Sequence, residues 1–144
     1  MLSERLLDIR DEAELNQEDM AEILKVSQSN YSRWEKGKEM IPLSKLNLLC
    51  NYFKINMDYV IGISRNQKCN KKYKFSNEII GKRLKEIRNK NKNKITQTDL
   101  ANFLNTTQST ISAYENGKTT LLTAFALQIV DKYKISLDWL CGRK

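Results

Sequence analysis

Histidine is absent from the 144 residues, and there are only one proline, five glycines and three cysteines. Each scarcity removes a class of protein. Without histidine, the commonest general base and metal ligand is missing. Cys50, Cys69 and Cys141 are odd in number and widely spaced, with no CxxC pair, so they do not read as a zinc site. No nucleophile–base pattern stands out either, and the expectation is a non-enzyme with no catalytic residue, no metal and no cofactor. So few prolines and glycines cannot supply the tight turns of a sheet architecture. No apolar run approaches the roughly 18–20 residues needed to cross a bilayer, and the start MLSERLLDIRDEAEL is too acidic for a secretory signal. A cytoplasmic protein without membrane attachment is expected.

What is present is a globular balance, 40% hydrophobic and 29% charged, with Leu, Ile, Lys, Glu and Asn spaced at helical period. An all-α chain follows. Its formal charge of +8 and pI near 9.4 call for a polyanionic partner.

The chain also repeats itself. Residues 17–62 align without gaps on 97–142, and 14 of the 46 positions are identical. Among them Gln17, Ala21, Gln28, Glu35, Gly37 and Asp58 recur as Gln97, Ala101, Gln108, Glu115, Gly117 and Asp138. Upstream, Leu2, Leu6, Ile9 and Arg10 match Ile80, Leu84, Ile87 and Arg88 at an offset shorter by two, which places two extra residues of the second copy around Lys92–Lys94.

Five helices can be read in each copy. Leu2, Leu6 and Ile9 share one face of the first helix, as do Ile80, Leu84 and Ile87. Asn16 and Thr96 suit N-caps of a second helix, with Asp19 and Asp99 in capping-box position. Ser27 and Thr107 cap a third, which ends before Gly37 and Gly117. Pro42 fits the first turn of a fourth, whose buried stripe is Leu46, Leu49, Cys50 and Phe53, or Ala126, Ile129, Val130 and Tyr133. Asn56 and Ser136 cap a short fifth. The turn between the second and third helices favours a left-handed residue, for which Asn105 is suited and Lys25 is not.

The segment NQEDMAEILKVSQSNYSRWEKGK, echoed by TQTDLANFLNTTQSTISAYENGK, resembles the helix-turn-helix of the phage repressor and Cro-like family. The resemblance implies two tandem five-helix, lambda-repressor-like domains, residues 1–64 and 77–144, joined by a basic linker, 65–76. It implies that the third helix enters the major groove of double-stranded DNA with its N-terminal residues at base edges. The candidate contacts are then Ser27, Gln28, Ser29, Ser32 and Arg33 in copy one, and Thr107, Gln108, Ser109 and Ser112 in copy two. Gln17 and Gln97, at the start of the second helix, would face phosphate and brace the recognition Gln. Lys36, Lys38, Asn116 and Lys118 follow the third helix as phosphate contacts. A glutamine amide matches adenine and an arginine fork matches guanine, so Arg33 against Ala113 would make the half-sites differ. Arg10–Glu35 and Arg88–Glu115 look like the pair that ties the first helix to the third, a structural role. Tyr59 and Trp139 read as core.

The halves differ in charge. Residues 1–64 carry a net −3, the linker +5 and residues 77–144 +6, so the second copy and the linker should dominate phosphate binding. Read as a flexible tether, residues 63–76 reach at most about 46 Å, against about 34 Å for one turn between half-sites. The expectation is a transcriptional regulator acting as a repressor, one chain serving as a covalent pseudo-dimer. No segment is left over for sensing a small-molecule ligand. The alternative is a protein-interaction module, antitoxin-like or antirepressor, that binds DNA weakly and holds a protein partner, or a second copy, through its acidic first domain.

Overall fold

The computed structural model describes every residue except Met1 and Asn91. The described residues form ten helices and no strand beyond one antiparallel bridge, Ile55 to Lys68. They divide into two compact units, one ending at Lys74 and the other beginning at Phe75. Unit 1 holds α1 (Leu2–Glu12), α2 (Gln17–Leu24), α3 (Gln28–Glu35), α4 (Leu43–Phe53) and α5 (Met57–Val60). Unit 2 repeats the order with α6 (Asn77–Lys90), α7 (Gln97–Leu104), α8 (Gln108–Glu115), α9 (Thr123–Tyr133) and α10 (Leu137–Leu140).

The helix ends follow from their capping residues. Asn16 Oδ1 accepts from the Asp19 N–H at 2.8 Å while the Asp19 carboxylate accepts from the Asn16 N–H at 3.0 Å, a reciprocal box that starts α2. Thr96 and Asp99 do the same for α7, both bonds at 3.0 Å, and they hold the Asp99 carboxyl below its usual range. Helices α2 and α7 stop on left-handed residues, Lys25 at φ 58° and Asn105 at φ 57°. The lysine bears the strain that asparagine largely escapes. Pro42 sits at the N-cap of α4, one residue earlier than its expected place in the first turn.

Each core is a set of inward faces. In unit 1 Leu6, Met20, Leu24, Tyr31, Leu46 and Leu49 are wholly buried, each fully buried aliphatic side chain being worth roughly 1.5–3 kcal/mol. Their counterparts Leu84, Leu100, Leu104, Ile111, Ala126 and Ile129 fill unit 2. Ala21 and Ala101 are buried where the second helix of each unit meets the third, as their small size requires. In unit 2 the approach is closest between α6 and α8. A Cβ on Gly81 would lie 2.5 Å from the Glu115 carbonyl oxygen, so only glycine fits there.

The stretch expected as a free tether is folded onto unit 1. The Asn56 N–H donates to Gln67 O and the Cys69 N–H to Lys54 O, both at 3.0 Å, around the Ile55–Lys68 bridge. Farther on, Asn47 and Asn51 both donate to Tyr73 O, at 2.9 and 2.8 Å, and Asn51 Oδ1 accepts from the Tyr73 N–H at 3.1 Å. Only Lys74, Phe75 and Ser76 separate this last anchor from α6. Asn56 correspondingly does not cap α5 with its side chain, which donates to Asn66 O and Lys68 O instead. Ser136 does cap α10, accepting from the Trp139 N–H at 3.1 Å.

Candidate nucleic-acid interface

Helix α3 starts where Ser27 accepts from the Asn30 N–H at 3.1 Å, and α8 where Thr107 accepts from the Thr110 N–H at 3.2 Å. Both hydroxyls are thus committed to capping, on exposed residues at the tip of the helix. Tyr31 and Trp34 turn inward from α3, and Ile111 and Tyr114 from α8. The period of the helix then leaves Gln28, Ser29 and Arg33 exposed and Ser32 half-buried on the opposite side. Unit 2 exposes Gln108 and Ser109, with Ser112 and Ala113 half-buried.

Behind each exposed glutamine runs a hydrogen-bonded relay. Arg10 on α1 grips Glu35 with two bonds, Nε to Oε2 at 2.9 Å and Nη2 to Oε1 at 2.8 Å, and gives a third to Leu15 O at 3.0 Å. Gln17 Nε2 donates to Glu35 Oε1 at 3.2 Å, and Gln28 Nε2 donates to Gln17 Oε1 at 3.1 Å. Unit 2 repeats every link: Arg88 to Glu115 at 2.6 and 2.7 Å, Gln97 to Glu115 at 3.1 Å, Gln108 to Gln97 at 2.6 Å.

The carboxylate fixes the polarity of this chain. An ionised Glu35 can only accept, so Gln17 must turn its N–H₂ inward and its carbonyl outward, and Gln28 must then donate to that carbonyl. One N–H and the carbonyl oxygen of Gln28 remain for a ligand, in a set orientation. Burial works to raise the Glu35 carboxyl, but the Arg10 guanidinium, the adjacent Tyr31 hydroxyl and the Gln17 amide outweigh it and hold it below the ordinary glutamate range. Tyr31 lies beside this pair with its hydroxyl buried, and burial together with the neighbouring Glu35 carboxylate pushes its ionisation above the usual tyrosine range.

The remaining candidates are arranged more loosely. Lys36 and Lys38 lie exposed beyond the C-terminus of α3, and Arg33 reaches Glu39 at 3.5 Å. Asn116 donates to Ser112 Oγ at 3.4 Å, and Lys118 is exposed. In unit 2 Gln97 and Gln108 share a shallow depression of about 640 Å³ with Lys94 and Thr98. Neither of these two was expected from sequence. Lys94 directly follows the two-residue excess of the second copy, and that insertion was the available signal. Tyr59 and Trp139 are half-buried rather than core, lying under Arg5 and Arg83, whose guanidinium carbons sit 4.5 and 5.0 Å from the ring centres.

Among the described residues no cluster of His, Cys, Asp and Glu could hold a metal ion, and no helix is long and apolar enough to cross a membrane. Cys50 and Cys141 are buried and Cys69 is half-buried, and none of the three is in a disulfide.

Two family models match the chain side by side. Residues 3–62 match one described as "Helix-turn-helix domain" and residues 84–140 match another described as "Helix-turn-helix". Over 64 residues the chain is 30% identical to a protein of Bacillus subtilis (strain 168) named "Uncharacterized HTH-type transcriptional regulator YobD". That alignment covers 44% of this chain and 57% of the relative, so little more than half of the relative is represented. No solved structure matches the chain significantly.

Proposed function

Since the chain is two tandem helix-turn-helix domains of the phage repressor and Cro type, we propose that it is a sequence-specific double-stranded DNA-binding transcriptional regulator that acts as a repressor. The activity is binding, not catalysis, and its place is the cytoplasm, where a bacterial-type regulator meets duplex DNA. Helices α3 and α8 enter successive major grooves. Gln28 and Gln108 each offer the remaining N–H and carbonyl to adenine N7 and its 6-amino group. Arg33 adds a guanine contact in one half-site, which Ala113 cannot make in the other. The N-termini of α2 and α7, with Gln17 and Gln97, face phosphate, as do Lys36, Lys38, Asn116 and Lys118. Repression follows by occluding the promoter.

The observation that supports this most is the relay. An exposed glutamine held in one orientation by a buried ion pair is costly to build for solubility alone, and it occurs twice at equivalent positions. Pre-orientation reduces the side-chain entropy lost on binding. Because the segment up to Tyr73 is held to unit 1, the free span between domains is short, and a narrowly fixed half-site spacing is expected.

Selection of bound sequences from a random duplex pool, at about 150 mM salt to suppress purely electrostatic binding, tests the proposal. A bipartite site with one preferred spacing supports it. A single short site assigns reading to one domain only, and no enriched sequence removes the reading altogether.

A further inference from the structure

The two copies differ at one place that the DNA-binding reading does not use. In unit 1 the extended segment around Gln67–Cys69 lies along Lys54–Asn56, fixed by the bridge and backbone bonds described above. The same positions of unit 2, Ile135 and Ser136, form a wall of an open groove of about 670 Å³. Ile87, Tyr133 and Trp139 complete its apolar lining, and all three are half-buried. The equivalent of Ile87 in unit 1, Ile9, is 7% exposed. Among the described residues nothing fills the groove of unit 2.

The rims have opposite charge. In unit 1 the repeat places Asp8 and Glu12 where unit 2 has Glu86 and Lys90, and the segment paired with Lys54–Asn56 belongs to a basic stretch with Arg65, Lys68, Lys71 and Lys72. In unit 2 the position of Glu12 is taken by Lys90, that of Ser64 by Lys144, and the inserted Lys92 joins them on the rim. Glu86 is the single acid there, already paired with Lys90.

We propose that this groove is a docking site for an extended acidic peptide segment of a partner protein. The segment runs along Lys134–Ser136 as residues 67–69 run along Lys54–Asn56, puts an apolar side chain between Ile87 and Trp139, and sets carboxylates against the three lysines. Copy one pairs its own basic segment with Lys54–Asn56 in cis, and its first helix carries two acids at the aligned positions. Copy two has inverted the rim and so selects the opposite charge in trans. Extended-strand addition of this kind takes its affinity from backbone pairing and its specificity from alternate side chains.

The test uses the full chain without DNA, so that its outcome is independent of DNA reading. A fluorescein-labelled decapeptide alternating Glu with Val is titrated by anisotropy at about 150 mM salt, beside its Lys-for-Glu counterpart, and amide shifts are mapped by NMR. The acidic peptide should bind at least tenfold more tightly than the basic one and shift Ile87, Ile135 and Trp139. Lys90→Glu, the residue of copy one, leaves two lysines against two acids and should abolish that preference. Lys85→Glu, the same charge change at an exposed residue of α6 that does not line the groove, should alter affinity less than twofold. Equal binding of both peptides, equal effects of the two substitutions, or shifts lying elsewhere would overturn the proposal. So would saturation of the groove by decanoate with no binding of the peptide, which would make the ligand a small organic anion.

Discussion

Replacing Arg88 with methionine should bring unit 2 close to unfolding. The Glu115 side chain is 1% exposed and that of Arg88 13%, and their two bonds, 2.6 and 2.7 Å, are shorter than those of Arg10 to Glu35. Met preserves most of the buried volume of the arginine stem but leaves a carboxylate out of water with only the Gln97 amide as donor. Stranding a buried charge in this way costs about 3–5 kcal/mol. A unit of this size has a total stability of only roughly 4–10 kcal/mol, so between about a third and all of it is removed. The double variant Arg88→Met/Glu115→Leu strands no charge and should return to within about 1 kcal/mol of the parent. Trp139 is the one tryptophan of unit 2 and Trp34 that of unit 1, so urea unfolding followed by fluorescence in a Trp34→Tyr background reports unit 2 alone. Tyrosine is what copy two carries at that position. A single variant within 1 kcal/mol of its parent, or a double variant no better than the single, would refute the assignment of Arg88 as the counter-charge that makes burial of Glu115 tolerable.

Three further outcomes follow from the packing. Gly81→Ala ordinarily strengthens a helix by up to about 1 kcal/mol, but the 2.5 Å approach to Glu115 O reverses the sign, and a loss of about 1–3 kcal/mol in unit 2 is expected by denaturation. Because the native Glu35 carboxyl titrates below its unfolded value of about 4.3, its contribution is complete above that pH and lost as pH falls through the lowered native value. Unit 1 should therefore weaken on acidification below about pH 4.3, and Glu35→Gln should flatten that limb of the stability–pH curve. Tyr31→Phe removes a buried hydroxyl that lies beside Glu35 but outside hydrogen-bonding geometry. Unit 1 should then keep its urea midpoint or gain up to about 1 kcal/mol, whereas a clear loss would show that the hydroxyl is bonded.

The helices were legible because they are written twice. Periodicity alone leaves ends uncertain, but Asn16 with Asp19 and Thr96 with Asp99 mark the same boundary independently, and both form the reciprocal cap. The Arg–Glu pairs and the paired glutamines were legible through resemblance to a known family, and the geometry adds the direction of each bond. The segment 65–74 was not legible as structure, because its composition is polar and basic and it has no counterpart in the repeat. Its anchors are Asn47, Asn51 and Asn56, which copy two replaces with Leu127, Asp131 and Ser136. Asparagines that interrupt an otherwise matched repeat were the signal. A buried Asn47 on the core face of α4 needs a hydrogen-bond partner, and the backbone of Tyr73 supplies it. The open groove of unit 2 became visible only once the segment paired with Lys54–Asn56 in unit 1 was known.

The central claim is that Gln28 and Gln108 read bases, as opposed to merely lying near DNA. Its most direct test is a titration of the full chain, Gln28→Ala and Gln108→Ala against the selected site and all its single-base variants at fixed salt. Each variant should lose about 1–3 kcal/mol of discrimination at one base pair, in a different half-site for each, and leave the other positions unchanged. A uniform weakening across all sequences, with the base preferences intact, would contradict the account and reduce both glutamines to backbone contacts.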